Sequence, residues 1–553
     1  MIRLIFLLSA LTAFAAADDS IQQAEMGRIW LRVPAGSAPL VDVRVSSGSA
    51  RAAHWAQGAT DHEQVTDVNF PIRWWSWKEI TIRFTPTQDE MVNFVLSGAW
   101  SDGKDGKPFR KEVLWDEVRA SGTEIKNGGF ETRSGDGPDS WKSQQAPYPA
   151  AGDWPLAGAE AAEGKSVAAT WHDRPLSQTI AVKAGQPVTL TLQAKAATLP
   201  GFVSPKLLGK DTPAHKAAAS LKRGMNLGNC WEAPPPYSWG IRFTTEDIDR
   251  IAAEGFDHIR VPVAWHFYLK QTGAGLEIDP ALLSDLEPVL RRALEKKMHV
   301  LLDWHHFNDL TSDPAANRER FVKVWETIAR HFQSWPPELF FELLNEPRDA
   351  LTTEVLNPIQ ADAIAAIRRI CPERIIILSP GNWGDIRELG KLRLPDGDDR
   401  LIVTVHCYEP FYFTHQRAGW VQLRDLKGLT FPGPPQTPLE IPASFQDNVG
   451  VKDFITGYNT LPTEQNPCSP AAIIELLDLA REWSDHFGRP VHLGEFGSIN
   501  SIEPVSRARY TREVRVQAEA RGIPWTLWDW KATFGYWNTL KNETVLKDAL
   551  FGN

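Results

Sequence analysis

Two glutamates stand where apolar runs stop. Leu339-Phe340-Phe341-Glu342-Leu343-Leu344 leads into Asn345-Glu346-Pro347, and Pro490-Val491-His492-Leu493 leads into Gly494-Glu495-Phe496-Gly497. The proline after Glu346 stops strand pairing. The glycines around Glu495 let backbone and ligand approach closely. An acid at the end of a buried strand must be solvated, paired or used. Taken singly, each is more often a solvated or ion-paired residue than a reacting group. Together, two strand-end carboxylates in one chain suit acid/base and nucleophilic chemistry, in which one group gives a proton while the other stays charged. His305-His306 could ligate a metal, but no third ligand at useful spacing follows, so no metal or other cofactor is expected. His305 reads as a hydrogen-bonding residue and His306 as a packing one.

These residues need elements to hold them. From Leu221 onward the chain alternates apolar strand-like runs with amphipathic helical ones. Strands are expected at Leu221 to Met225, His258 to Val263, Val300 to Trp304, Leu339 to Leu344, Arg374 to Leu378, Leu401 to Val405, Val491 to Gly494 and Pro524 to Leu527. Thr244 three residues before Asp247 predicts a capping box opening a helix that ends near Gly255. Eight such repeats predict an α/β fold, a (β/α)8 TIM barrel, preceded by an all-β sandwich region. A doubly wound sheet is the rival. It would need a phosphate-binding glycine-rich turn after an early strand, and the region of Gly224 and Gly228 opens no obvious helix.

Barrel enzymes keep their reacting groups at the carboxyl ends of strands. Here those ends deliver Asn226, Asn229 and Trp231, then Arg260, then Asp303, His305 and His306, then Asn345 and Glu346. His406, Tyr408, Glu495, Trp528 and Trp530 complete the set. Residues 220 to 550 resemble glycoside hydrolase family 5, the cellulase family, on Asn-Glu-Pro at 345 to 347, Gly-Glu-Phe-Gly at 494 to 497, and Arg260, His305, Asn345, His406, Tyr408 and Trp528 in matching order. The resemblance implies a retaining glycoside hydrolase with its carboxyls about 5 to 5.5 Å apart. Glu495 would be the nucleophile and Glu346 the acid/base. Arg260 and Tyr408 would hold Glu495 ionised, Asn345 would meet the sugar 2-hydroxyl, and Trp528 would floor the subsite at the cleavage point.

The implied substrate is a β-linked polysaccharide, with an endo-acting β-1,4-glucanase first. β-Mannanase, xyloglucanase, β-1,3-glucanase and a non-catalytic polysaccharide-binding protein are the alternatives. One tension is geometric. Successive strand side chains face opposite ways, so Asn345 and Glu346 can both point inward only if the strand has already broken, and Glu342 would then point into the barrel as a structural acid.

With 553 residues, the chain is long enough for more than one domain. Lys and Arg total 59 against 69 Asp and Glu, a formal net charge of -10, which argues against a nucleic-acid partner. Residues 1 to 17 read as a signal peptide, so a secreted or periplasmic protein is expected. No later stretch has the length and apolarity of a membrane span, and a monomer is expected. Residues 18 to 197 show short alternating runs of a β-sandwich region, one or two modules. Val113 to Val118 and Asn127 to Glu131 resemble closing and opening strands of jelly-roll carbohydrate-binding modules, the second of them truncated. Sugar binding and a spacer role are both open, with Trp74, Trp75 and Trp77 as candidate platforms. Residues 198 to 219, rich in Pro and Gly, read as a linker to a barrel at 220 to 553. Cys230, Cys371, Cys407 and Cys468 allow three disulfide pairings or free thiols.

Overall fold

The computed structural model describes residues 26–37, 40–44, 50–52, 55–59, 63–100, 111–135, 137–143, 161–198, 205–235, 239–273, 275–463, 466–538, 541 and 543–552. The expected signal peptide and residues 199 to 204 of the expected linker lie outside them. The chain divides into two units, Met1–Ser204 and Pro205–Asn553.

The first unit is one sandwich of two six-stranded sheets. One sheet runs Trp55–Ala59, Glu63–Pro71, Met26–Pro34, Glu90–Gly98, Leu176–Val182, Lys142–Ser143. The other runs Ala168–Thr170, Val113–Ser121, Val188–Ala196, Lys78–Phe84, Leu40–Arg44, Ala50–Ala52. In Val188–Ala196 burial alternates residue by residue, with Val188, Leu190, Leu192, Ala194 and Ala196 facing inward, as period-two patterning dictates. Phe70 and Trp115 meet edge to face at 6.0 Å across the two sheets, and the Trp115 indole N–H donates to Thr170 Oγ1 at 2.7 Å.

The apparent truncated second module is corrected by the pairing. Val113–Ser121 pairs with Val188–Ala196, and Leu176–Val182 pairs with Glu90–Gly98. Strands after Asn127 therefore complete both sheets of a single sandwich. Trp74 and Trp75 are buried against each other edge to face, which removes them as platforms. Trp77 is half-buried with Lys195 Nζ 5.7 Å from its ring centre.

The second unit is a closed barrel of eight strands in sequence order. They are β1 Arg223–Asn226, β2 His258–Val263, β3 His299–Trp304, β4 Leu339–Glu342, β5 Ile376–Leu378, β6 Leu401–His406, β7 Val491–Phe496 and β8 Trp525–Leu527. All neighbours are parallel, and β1 pairs with β8 to close the ring. Every residue of β2, β4, β6 and β7 is buried, because helices cover the outer face while side chains fill the inner one.

The helices between strands begin where sequence signals place them. At Thr245–Glu254 the expected capping box is present, with Thr244 N donating to Asp247 Oδ2 at 2.9 Å. The stretch read as a linker reaches too far. Helix Pro213–Ser220 lays Ala214 and Ala218 into a buried cluster with Leu301, Phe340, Ile377 and Ile402. Alanines four apart form one small apolar face on a helix, so this segment packs as part of the barrel unit. The segment from Ala418 to Pro467, rich in proline and polar residues, contains helix Val449–Thr460 with Val451, Ile455 and Tyr458 buried. It forms a folded wall.

Candidate active site

At the centre stands Arg260, on β2 and fully buried. Its Nε and Nη2 donate to the two oxygens of Glu342 at 2.9 and 2.7 Å, a fork that a planar guanidinium matches. Nη1 donates to Asn226 Oδ1 at 3.0 Å and Glu495 Oε1 at 2.8 Å, while Nη2 also reaches Asn345 Oδ1 at 2.6 Å. Asp303 Oδ2 lies 3.1 Å from Nη2. Glu342 is thus the inward structural acid that the strand register predicts.

Two backbone breaks aim the remaining side chains. Strand β4 stops at Glu342, before Asn345 and Glu346, which releases both from the strict alternation of a strand. On β7 the pairing with β6 slips, Val405 opposite Leu493 but His406 opposite Glu495, leaving Gly494 as an extra residue. Such a bulge re-aims the next side chain. A Cβ at Gly494 would collide with Thr404 Oγ1. That glycine therefore serves the barrel interior, where the sequence suggested close ligand approach.

All eight expected site residues converge. Tyr408 donates its hydroxyl to Glu495 Oε2 at 2.7 Å. His406 Nδ1 lies 2.8 Å from Glu346 Oε1 and 3.8 Å from Glu495 Oε2. Oxygens of Glu346 and Glu495 and a ring nitrogen of His406 fall within 4.8 Å of one another. Among the described residues this is also the one group whose donor atoms could hold a metal. Both oxygens of Glu495 are nevertheless taken by Arg260 and Tyr408, an arrangement that suits a restrained nucleophile better than a ligand. His305 Nδ1 is 2.7 Å from Asp303 Oδ2, its Nε2 is 3.4 Å from the Asn345 amide, and its ring stacks on Trp528 at 5.3 Å and 6°. Trp528 fits only because Gly228 has no side chain, since a Cβ there would come 2.7 Å from the indole.

Burial sets the proton affinities. It pushes Glu346 up to about 7, against the pull of Arg260 and Arg348, and Glu495 up to about 6, held lower by His406, Arg260 and the Tyr408 hydroxyl. Glu346 keeps 20% of its side chain exposed and Glu495 only 5%. The ordering, Glu346 above Glu495, therefore comes from Glu495's better-compensated surroundings, the direction expected for an acid beside a nucleophile. Arg260 and Tyr408 were expected to hold Glu495 ionised. They limit the rise that burial causes and do not abolish it. Burial also lowers His305 and His406, so both rings are neutral near pH 7.

The cleft above these groups measures about 970 Å³. Its walls include Trp239, Trp383, Phe411 and Trp420, each at least 39% exposed, and none was singled out from sequence. Trp383 stands out only in the structure, where Asn382 and Trp383 are consecutive residues with positive φ, 52° and 66°. Such backbone is costly for L-residues and is retained mainly at working sites. Trp231, Trp265 and Trp530 are buried core residues, and Trp537 stacks on Trp530. The four cysteines are free and buried.

A closed parallel barrel with two glutamates meeting from the ends of its fourth and seventh strands is a glycoside hydrolase by class. The chain belongs to the cellulase family, glycosyl hydrolase family 5, whose model matches residues 216–533. It is similar to Endoglucanase H of Acetivibrio thermocellus, 28% identical over 324 residues covering 58% of this chain and 30% of that protein. Endoglucanase 3 of Fibrobacter succinogenes is also 28% identical, with 58% and 51% covered. The chain thus spans 30% and 51% of the length of these two relatives. Among solved structures, Cel5A of Thermotoga maritima in complex with cellobiose is 31% identical, with a TM-score of 0.53 over 61% of this chain and 99% of that one. The cellulose synthase subunit Z of Clostridioides difficile is 29% identical, with a TM-score of 0.52 over 60% and 99%.

Proposed function

We propose that the protein is an exported endo-β-1,4-glucanase that cleaves with retention of configuration. The observation that carries this is the approach of the Glu346 and Glu495 oxygens to within 4.8 Å, close to the separation of about 5 to 5.5 Å that double displacement requires and too short for an inverting enzyme. Glu495 attacks the anomeric carbon as the glycosidic bond breaks, and the leaving oxygen takes the proton of Glu346. A water then gives its proton back to Glu346 and opens the glycosyl ester. Asn345 has its oxygen occupied by Arg260, so its amide N–H is left to meet the sugar 2-hydroxyl. Trp528, locked on His305, offers a flat floor to the sugar ring.

The named activities of the relatives, endoglucanases in both cases, support a glucan substrate. A β-mannanase is the second reading, favoured by a Thermotoga maritima Cel5A structure solved with mannotriose. Product analysis on carboxymethylcellulose, β-mannan, xyloglucan and β-1,3-glucan separates them. Glu346→Gln is expected to lose turnover and keep polysaccharide binding. Release from none of these polymers by the native chain, or full turnover by the variant, overturns the reading.

A further inference from the structure

Two cations bear on Glu346, Arg260 and Arg348. The buried network uses the first, and the second has no part in the chemistry above. Arg348 lies on the chain that leaves β4, two residues after Glu346, and its side chain joins three successive strand ends. Its Nη2 donates to Asn308 Oδ1 at 3.0 Å, beyond β3. Its guanidinium carbon stands 4.5 Å from the centre of the Trp383 ring, beyond β5. Main-chain bonds pin the same corner: Trp383 N–H donates to Pro347 O at 2.9 Å and Leu351 N–H to Arg348 O at 3.0 Å. A planar cation over an indole is attracted by the negative face of the ring and fixes its tilt. Trp383 is itself exposed and lines the cleft, so the face turned away from Arg348 is open to a ligand.

The place of Trp383 matches the departing half of the substrate. The ring under attack rests on Trp528, beyond β8, and Glu346, beyond β4, protonates the oxygen that leaves. In a closed ring of eight strands β4 and β8 are opposite. The departing chain therefore runs away from β8, over the ends of β4 and β5, where Trp383 stands. Arg348 acts on Glu346 as well. Its charge opposes the rise in proton affinity that burial causes, and a guanidinium keeps that charge over the whole working range of pH. Asp349 lies 3.7 Å from Arg348 Nε but is exposed, so water screens it. Glu346 is also faced by Arg260 from β2, Asp303 from β3, His406 and Tyr408 from the end of β6, and Glu495 from β7. His305 and His306 face Arg348 itself, and burial holds both rings neutral. Substitution of Arg348 changes none of these groups.

We propose that Arg348 ties the hold on the departing sugar to the acid that releases it: its plane sets Trp383 as a floor for the first leaving sugar, and its charge makes Glu346 give up its proton more readily. Arg348 is then a positioning residue acting through Trp383 and Glu346. The two effects are separable. Without the cation, Glu346 keeps its proton to a higher pH and yields it less readily. Without the plane, Trp383 loses its backing and the departing chain is held less well. A substrate with no ring in the leaving position feels only the first.

The inference rests on the reading of Glu346 as the acid, and the test keeps the two apart. In full-length Arg348→Met, the basic limb of the kcat/KM profile on cellohexaose should move up by about half a pH unit, a gain of about threefold at pH 8 relative to the plateau. KM for cellohexaose should rise about fivefold, as loss of one cation–π contact predicts. KM for β-cellobiosyl fluoride, whose leaving group carries no ring, should stay within about twofold. Arg348→Lys keeps a charge but has no plane to lay on the indole. It should restore the native basic limb and leave KM for cellohexaose raised. A basic limb in Arg348→Met that superimposes on the native one, a KM for cellohexaose that stays native, KM values that rise together for both substrates, or a limb that Arg348→Lys fails to restore overturns the role. The Glu346 carboxyl, assigned in ¹³C NMR by its disappearance in Glu346→Gln, should titrate higher in Arg348→Met. Full turnover by Glu346→Gln overturns the acid assignment instead, and no release from cellohexaose by the native chain overturns the glucanase reading. In either case the NMR titration still decides, and one unchanged in Arg348→Met overturns the role of Arg348.

Discussion

The interior of the barrel and the interior of the sandwich are built from opposite materials. Between the sheets of the sandwich lie Ile80, Ile82, Phe94, Leu96, Val113, Leu190 and Leu192. Inside the barrel lie Arg260, Glu342, Asp303, Asn226, His258 and His492, all with essentially no exposure. A core of the first kind draws stability from apolar area removed from water. One of the second kind must compensate every charge it buries, and well-packed apolar residues would often be as stable or more so. The barrel therefore carries polar groups that stability alone does not demand. Arg260 among them holds Glu495 and Asn345 in fixed geometry and limits the rise that burial gives Glu346.

The sharpest way to break this contrast is to remove one group of the barrel's reacting pair. Glu495→Ala should lower hydrolysis of β-glucan by on the order of 10⁴-fold or more, as loss of a nucleophile does elsewhere, measured as initial rates of reducing-end release with the melting temperature held near native. Next comes Arg260→Leu, which strips Glu342, Asp303 and Glu495 of their shared cation. Removing one partner of a buried ion cluster costs about 3–5 kcal/mol, so the barrel should lose that much in denaturant titration, and hydrolysis should fall with it.

A milder perturbation is pH. Glu495 must be charged and Glu346 protonated, so the rate should rise through about 6 and fall beyond about 7. Stability follows the same carboxyls. Glu346, Glu495, Asp303 and Asp529 all have folded-state affinities raised by burial, to about 7, 6, 7 and 7. A raised carboxyl contributes stability below its unfolded value and loses it as pH climbs through the folded one. The melting temperature of the barrel should accordingly fall from about pH 4, the unfolded carboxyl range, to about pH 7 and level off above it. The smallest effect on hydrolysis belongs to the sandwich. Leu192→Ala should destabilise that unit by about 2–5 kcal/mol through the cavity it leaves, while hydrolysis of a soluble glucan stays within about twofold of native.

The two interiors also differ in how openly the sequence announces them. The alternation in Val188–Ala196 gives away which side faces inward. It does not disclose that this strand pairs with the much earlier Val113–Ser121, and for that reason the sequence leaves one or two modules open. In the barrel, strand ends were legible because each apolar run is stopped by polar residues, and Glu346, Glu495, Arg260 and Tyr408 were found that way. Trp239, Trp383 and Trp420 stayed hidden among 23 tryptophans, since an indole in a wall and an indole in a core look alike in a string of letters. The helix at Pro213–Ser220 was passed over because its alanines are too small to stand out as a hydrophobic pattern, although they pack as one.

By itself, the sequence determined the order of the barrel's elements and which two glutamates stand at strand ends, because strand periodicity, helix caps and strand-stopping residues act over a few neighbours. Only the tertiary structure decided which acid is the stronger. That depends on Arg260, His406 and Tyr408 arriving from β2 and β6 to meet residues of β4 and β7, and the energy of a buried charge is set by what surrounds it in space.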